Sequence, residues 1–274
     1  MSRNLKLTEK PFCEIGGDEI VKVYITPRCT FVIRCENVDK TKPNVAYRKI
    51  SKNEYVNIDT GEIIFVKPKL YKTEKSLSAQ IKKIPYYVKG FFYGDETERF
   101  ITLTYDIPMY RVKRLSIDFR NFLRRVERKY CKMRYFYVKE PHGDGSWHIH
   151  CIMKRLDGKR FDITTGDLID LWNLGDDVSV EEIYNIDGLA HYFNVFKYVK
   201  KKSRLKCYPV GMRIFAHSSD MKLLKHISKY NNISDFTQDK ELSFQKQVDV
   251  GCVDSDNSEK HIGTNKYEHY CIKE

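Results

Sequence analysis

The 274-residue chain has no run of eighteen apolar residues, and Met1-Ser2-Arg3-Asn4-Leu5-Lys6 lacks the apolar stretch of a secretory signal, so a cytoplasmic protein with no membrane partner is expected. Its eight cysteines, Cys13, Cys29, Cys35, Cys131, Cys151, Cys207, Cys252 and Cys271, never form a Cys-x-x-Cys pair. In a cytosolic chain of this size they are most simply reduced thiols. No Gly-x-x-x-x-Gly-Lys-Ser/Thr loop occurs, which excludes a recognisable P-loop nucleotide engine. Internal repeats are also lacking, so a single large domain, or one domain with a smaller appendage, is the frame.

Positive charge is abundant. The formal net charge is +12, and three segments concentrate it. Residues 67–89 hold seven Lys against one Glu, 108–134 hold ten Lys or Arg against two acids, and 197–206 hold six against none. Aromatic residues interleave this charge (Tyr71, Tyr86, Tyr87, Phe91, Phe92, Tyr93, Tyr130, Tyr135), the combination that a single-stranded nucleic-acid groove uses. The same pattern also describes a basic surface over an aromatic core.

The two ends differ from the middle. Residues 1–75 form a β-rich N-terminal extension with short β-branched runs such as Ile20-Val21-Lys22-Val23-Tyr24-Ile25 and Ile63-Ile64-Phe65-Val66. Residues 231–274 carry nine acids against five lysines with few branched aliphatics, which reads as a mobile acidic tail. Between them, residues 76–230 follow the order strand, helix, strand, strand, helix, strand, helix. Phe100 to Tyr105 alternates as a strand. Val112, Leu115, Phe119, Phe122, Leu123, Val126 and Tyr130 recur at helical spacing over 111–130. A helix from Thr165 to Asn173 capped by Thr164, a short strand Val178-Ser179-Val180, and a helix from Gly188 to Lys202 capped by Asp187 follow. Strand runs with interspersed helices imply an α+β fold with an antiparallel central sheet.

The segment Glu140-Pro141-His142-Gly143-Asp144-Gly145-Ser146-Trp147-His148-Ile149-His150 carries the clearest chemistry. Alternate strand residues share a face, so His148 and His150 aim together while Ile149 faces a core. The Gly143-Asp144-Gly145 turn folds the chain back and puts Glu140 on the partner strand beside them. Two imidazoles and one carboxylate leave positions open for water or substrate. They suit Mn²⁺, Co²⁺, Ni²⁺ or Zn²⁺, with Mg²⁺ where phosphate completes the shell. Trp147 and His142 are most simply a packing residue and a turn residue, with DNA contact near the metal as the other reading.

The final helix supplies a nucleophile candidate. Leu189, Tyr192, Phe193, Phe196 and Val199 form one apolar stripe, whereas Asn194, Tyr198 and Lys201 cluster opposite. A phenol with a pKa near 10 needs cationic help to attack near neutrality, and Lys197 and Lys201 are placed to give it. A surface tyrosine beside ordinary lysines is the plainer alternative.

Taken in order, the Thr102-Leu103-Thr104 strand, Glu140 with His148-Ile149-His150, and Tyr198-x-x-Lys201 resemble the three motifs of HUH endonucleases. Within that superfamily the chain is most similar to rolling-circle replication initiators of plasmids, phages and integrative elements, over about residues 76–222. Trp172-Asn173-Leu174-Gly175 and Arg213 to Ser219 add family-like surroundings. The resemblance implies an RRM-like palm, Mg²⁺ or Mn²⁺ held by His148, His150 and Glu140, and attack by Tyr198 on single-stranded origin DNA to leave a 5′-phosphotyrosine. Lys201 would stabilise charge, and Lys197, Lys200, Lys202 and Arg204 would contact DNA. Many such initiators carry a second tyrosine four residues from the first, but Asn194 occupies that position here. A one-tyrosine enzyme follows, with Tyr192 as second candidate. Without a P-loop, strand separation falls to a host helicase and extension to a host polymerase. A non-cleaving origin-binding protein and an HUH transposase or mobilisation relaxase are the rival expectations.

Overall fold

The computed structural model describes residues 4–10, 19–36, 47–194, 207–228, 233–253 and 259–272. The fold is α+β with antiparallel sheets. Among the described residues no helix is long and apolar enough to cross a membrane.

The chain divides into two compact units. One gathers residues 1–23, 31–70 and 226–270; the other gathers 24–30, 71–225 and 271–274. The first contains β1 (Asn4–Lys10), most of β2 (Glu19–Ile25) and β3 (Cys29–Glu36), and a meander of β4 (Tyr47–Lys49), β5 (Glu54–Asn57) and β6 (Ile63–Phe65). The stretch expected as a mobile acidic tail is instead structured. Its strands β13 (Glu241–Val253) and β14 (Glu259–Cys271) join β12 (Leu224–Ser228) in a six-stranded sheet of order β1-β13-β14-β3-β2-β12. β1 pairs antiparallel with β13 from Asn4↔Val253 to Lys10↔Gln247. The low apolar content misled because these strands bury polar side chains: Gln247, Lys266 and Glu268 are all buried, and Glu268 is ion-paired to Arg34 at 3.0 Å.

In the second unit, the described strands are β7 (Glu98–Leu103), β8 (Met133–Pro141), β9 (Trp147–Arg155), β10 (Val178–Glu181) and β11 (Phe215–His217). They form a five-stranded antiparallel sheet of order β10-β7-β9-β8-β11. β7 and β9 lie inside the sheet and are buried on both faces, which matches their nearly continuous apolar runs.

Two short helices, α1 (Glu74–Ile81) and α2 (Ile84–Phe91), lead into this sheet, and α3 (Val112–Lys129) covers one of its faces. In α3, Leu115, Phe119, Phe122 and Val126 are buried at helical spacing, each worth about 1.5–3 kcal/mol, and Phe119 lies 4.0 Å from Tyr137 of β8 between ring centroids. Helix α4 (Thr165–Trp172) starts at its expected cap, Thr164, which forms a reciprocal capping box with Asp167. It ends at Asn173, whose φ of 52° is the left-handed conformation that Asn tolerates. Trp172 then donates its indole N–H to the Thr104 carbonyl at 2.6 Å. Gly175 packs so closely that an added Cβ would sit 2.5 Å from the Thr104 carbonyl oxygen.

The opposite face carries α2, whose Tyr87 ring lies 5.9 Å from Phe136. Helix α5 (Ile186–Asn194) is tied to α2 by a 2.7 Å ion pair between Lys89 and Asp187. Its expected start needs correcting. Asn185 accepts from the Gly188 N–H at 2.8 Å, so the helix begins two residues early and Asp187 lies within its first turn. The cysteines also depart from expectation, because Cys29 and Cys271 form a disulfide across a separation of 242 residues. No local spacing could reveal that pairing.

Candidate metal centre

The β8–β9 hairpin builds the site. Its turn closes through the His142 N–H to the Ser146 carbonyl (2.7 Å), while the Asp144 carboxylate accepts from the Ser146 N–H (2.9 Å) and hydroxyl (2.7 Å). Gly145 takes φ +89°, a conformation that a side chain would oppose. This closure fixes the register, with Glu140 opposite His148 and Val138 opposite His150. Directly opposed residues share a face, so Glu140, His148 and His150 converge on the side that carries Phe136, α2 and, through α2, the start of α5.

The separations are short. Nε2 of His148 and Nε2 of His150 lie 2.9 Å apart, and Oε2 of Glu140 lies 3.2 Å from the His150 nitrogen and 3.7 Å from the His148 nitrogen. One ligand atom from each residue falls within 4.8 Å of the others. Ligands about 2.1 Å from an octahedral ion at right angles stand about 3 Å apart, so the three atoms match one face of such a shell.

Electrostatics favour the neutral ligand form. Burial, together with the neighbouring His150 and His142, pushes the His148 imidazole down to about 3, against the opposite pull of Glu140. The Nδ1 atom of His148 is buried without a hydrogen-bond partner. Its ring lies 4.0 Å from that of His142. His150 is held on two sides, by the Thr102 hydroxyl 3.1 Å from its Nδ1 and by the parallel ring of Phe100 at 5.7 Å. A partner on Nδ1 fixes the ring so that Nε2 faces the ligand cluster.

Sequence reasoning placed Thr102 only in a motif strand and missed its contact with His150. The signal lies in the pairing of β7 with β9, where Thr102 stands opposite His150. Trp147 is 2% exposed and packs edge-on against Tyr208, so it is a core residue. Tyr198, Lys201, Lys197, Lys200, Lys202 and Arg204 lie outside the described residues. Tyr192 falls within α5, but its side chain is likewise outside what is described.

A family model described as Replication-associated protein ORF2 matches residues 98–203, from β7 through the hairpin and α5 into the lysine-rich segment. Searches of curated proteins and of solved structures find no match to the chain. The family match supports a rolling-circle Rep-type replication protein, and the three-residue cluster inside the matched segment has a geometry that can hold a metal ion.

Proposed function

We propose that this protein is an HUH endonuclease that nicks and rejoins single-stranded DNA at a replication origin and so initiates rolling-circle replication. The observation that carries the reading is the convergence of His148, His150 and Glu140 inside the segment matched by a replication-associated family. The same donor set also serves non-haem iron sites, but a Rep-type match and a net charge of +12 favour phosphodiester chemistry. Nicking is assigned to residues 76–230, and the remaining β-rich parts are assigned to other tasks of the initiator.

In this reading His148, His150 and Glu140 hold Mg²⁺ or Mn²⁺, which supplies positive charge to the scissile phosphate. Tyr198 attacks the phosphorus through its phenolic oxygen. The bond from phosphorus to the 3′ oxygen breaks, the phenol proton leaves to solvent, and the departing oxygen takes up a proton as a free 3′-hydroxyl. The 5′ end remains joined as phosphotyrosine. Because that linkage keeps the phosphodiester free energy, an incoming 3′-hydroxyl can reseal the strand without a nucleotide cofactor. Lys201 offsets negative charge near the phosphate, and Lys197, Lys200, Lys202 and Arg204 hold the strand. A host polymerase extends the 3′ end, a host helicase opens the duplex, and the work is cytoplasmic.

The test incubates the protein with Mn²⁺ and labelled single-stranded segments from the encoding element, then resolves covalent adducts on denaturing gels. An adduct lost in Tyr198→Phe and kept in Tyr192→Phe is the expected result. Loss only in Tyr192→Phe keeps the enzyme and moves the nucleophile. No adduct with any divalent metal, despite DNA binding, overturns nicking in favour of an origin-binding protein.

A further inference from the structure

Beside the metal hairpin, the loop 106–111 and the first turn of α3 border an open cleft of about 690 Å³, within the range of small-molecule sites. Tyr105, Ile107, Met109, Tyr110, Arg111 and Arg114 supply most of its distinctive lining. Ile107 is 81% exposed and Tyr110 58% exposed, an unusual placement for two large apolar side chains on one short loop. The two carboxylates in the lining are already engaged. Asp118 is buried against the Arg114 guanidinium (2.8 Å) and the Tyr105 hydroxyl (3.1 Å), and Asp106 accepts from the Asp176 N–H at 3.0 Å. Arg111 is exposed at the start of α3, which has no side-chain cap, so backbone N–H groups there complement its charge.

The cleft is fastened to the metal hairpin at two points. The Trp147 N–H donates to the Met109 carbonyl at 2.8 Å, and Trp147 immediately precedes His148. The Tyr110 hydroxyl also donates to Asp144 in the turn at 3.4 Å. The loop wall therefore approaches the hairpin within one residue of a proposed metal ligand.

We propose that this cleft takes one unstacked base of the single-stranded DNA next to the scissile phosphate, with Tyr110 as the stacking platform and Arg111 on the adjoining phosphate. The substrate class rests on the nicking reading above, whereas the site itself has no part in the chemistry. Every base has a π face, so such a platform holds the strand without reading sequence.

The test measures fluorescence anisotropy of a labelled oligothymidylate and of an abasic deoxyribose-phosphate oligomer of equal length, both in EDTA. Tyr110→Ala is expected to weaken oligothymidylate binding about 5- to 150-fold and to leave the abasic oligomer unaffected. Tyr110→Phe, which keeps the ring, is expected to bind like the unmodified protein. Arg111→Ala is expected to weaken both oligomers and to reduce the salt slope by about one. Equal losses on both oligomers for Tyr110→Ala, no loss on either, or no binding of oligothymidylate by the unmodified protein would overturn the assignment. Because EDTA removes the metal, binding without adduct formation sinks nicking alone, and adduct formation with no effect of Tyr110→Ala sinks the cleft alone.

Discussion

Thr102→Val isolates the one side chain seen to orient a proposed metal ligand from behind. Valine keeps the shape of threonine and favours strands, so β7 should persist while the contact to His150 Nδ1 at 3.1 Å disappears. Outer partners of metal-bound histidines typically affect affinity 10- to 100-fold, which is about 1.4–2.7 kcal/mol. Phe100 still stacks on the same imidazole at 5.7 Å and the His150 side chain is only 8% exposed, so the ring keeps part of its restraint. The expected loss is therefore nearer tenfold. Calorimetric titration with Mn²⁺ of the unmodified protein, Thr102→Val and Thr102→Ser measures it, and serine should restore most of the affinity because it retains the hydroxyl. Unchanged Mn²⁺ affinity in Thr102→Val, or an equal loss in Thr102→Ser, would refute the orienting role.

Four further outcomes follow from the packing. Phe122→Ala removes a fully buried ring that touches both Phe119 and Trp172, and urea denaturation should show a loss of about 3–5 kcal/mol. Gly175→Ala forces a methyl against the Thr104 carbonyl and the Asp106 N–H, both backbone atoms, and should destabilise by about 1–3 kcal/mol in the same measurement. Asp167→Asn tests a pH dependence: hydrogen bonds from Lys129 and Thr164 hold this carboxyl well below the usual range, so its contribution is present above about pH 4 and is lost as pH falls through the folded-state pKa. The variant should be less stable by under about 1 kcal/mol at neutral pH, with the difference closing only in strong acid. Finally, mass spectrometry after alkylation of unreduced, denatured protein should find Cys29 and Cys271 unmodified, with both labelled once a reductant is added.

How legible each feature was depends on how far apart the deciding residues lie. Glu140 and His150 are joined by a local turn whose Gly145 and Asp144 announce it, so period-two alternation alone could place three ligands together. Helices α3 and α4 were equally local, since one shows four buried residues at helical spacing and the other a Thr164 cap. At α5 the sequence offers two good caps, Asn185 and Asp187, and tertiary packing chose between them. Ile186 is 7% exposed and belongs to the core, so the helix must start before Asp187 to bury it. Thr102 could be recognised as a partner of His150 only by knowing that β7 pairs with β9, a contact across 48 residues.

The strands β13 and β14 show why composition misreads a sheet that buries polar groups. Local charge counts see Glu268 and Lys266 as solvent-loving, although the burial of Glu268 is offset by Arg34, 234 residues away. A charge whose partner is that distant carries no local mark of being inside. The same reasoning separates the metal site from the proposed base cleft. Ligand atoms must be few, of fixed type and closely spaced, which a short motif can encode. A stacking surface needs only exposed ring and apolar area beside a cation, and Tyr110 and Ile107 become distinctive only once their exposure is known.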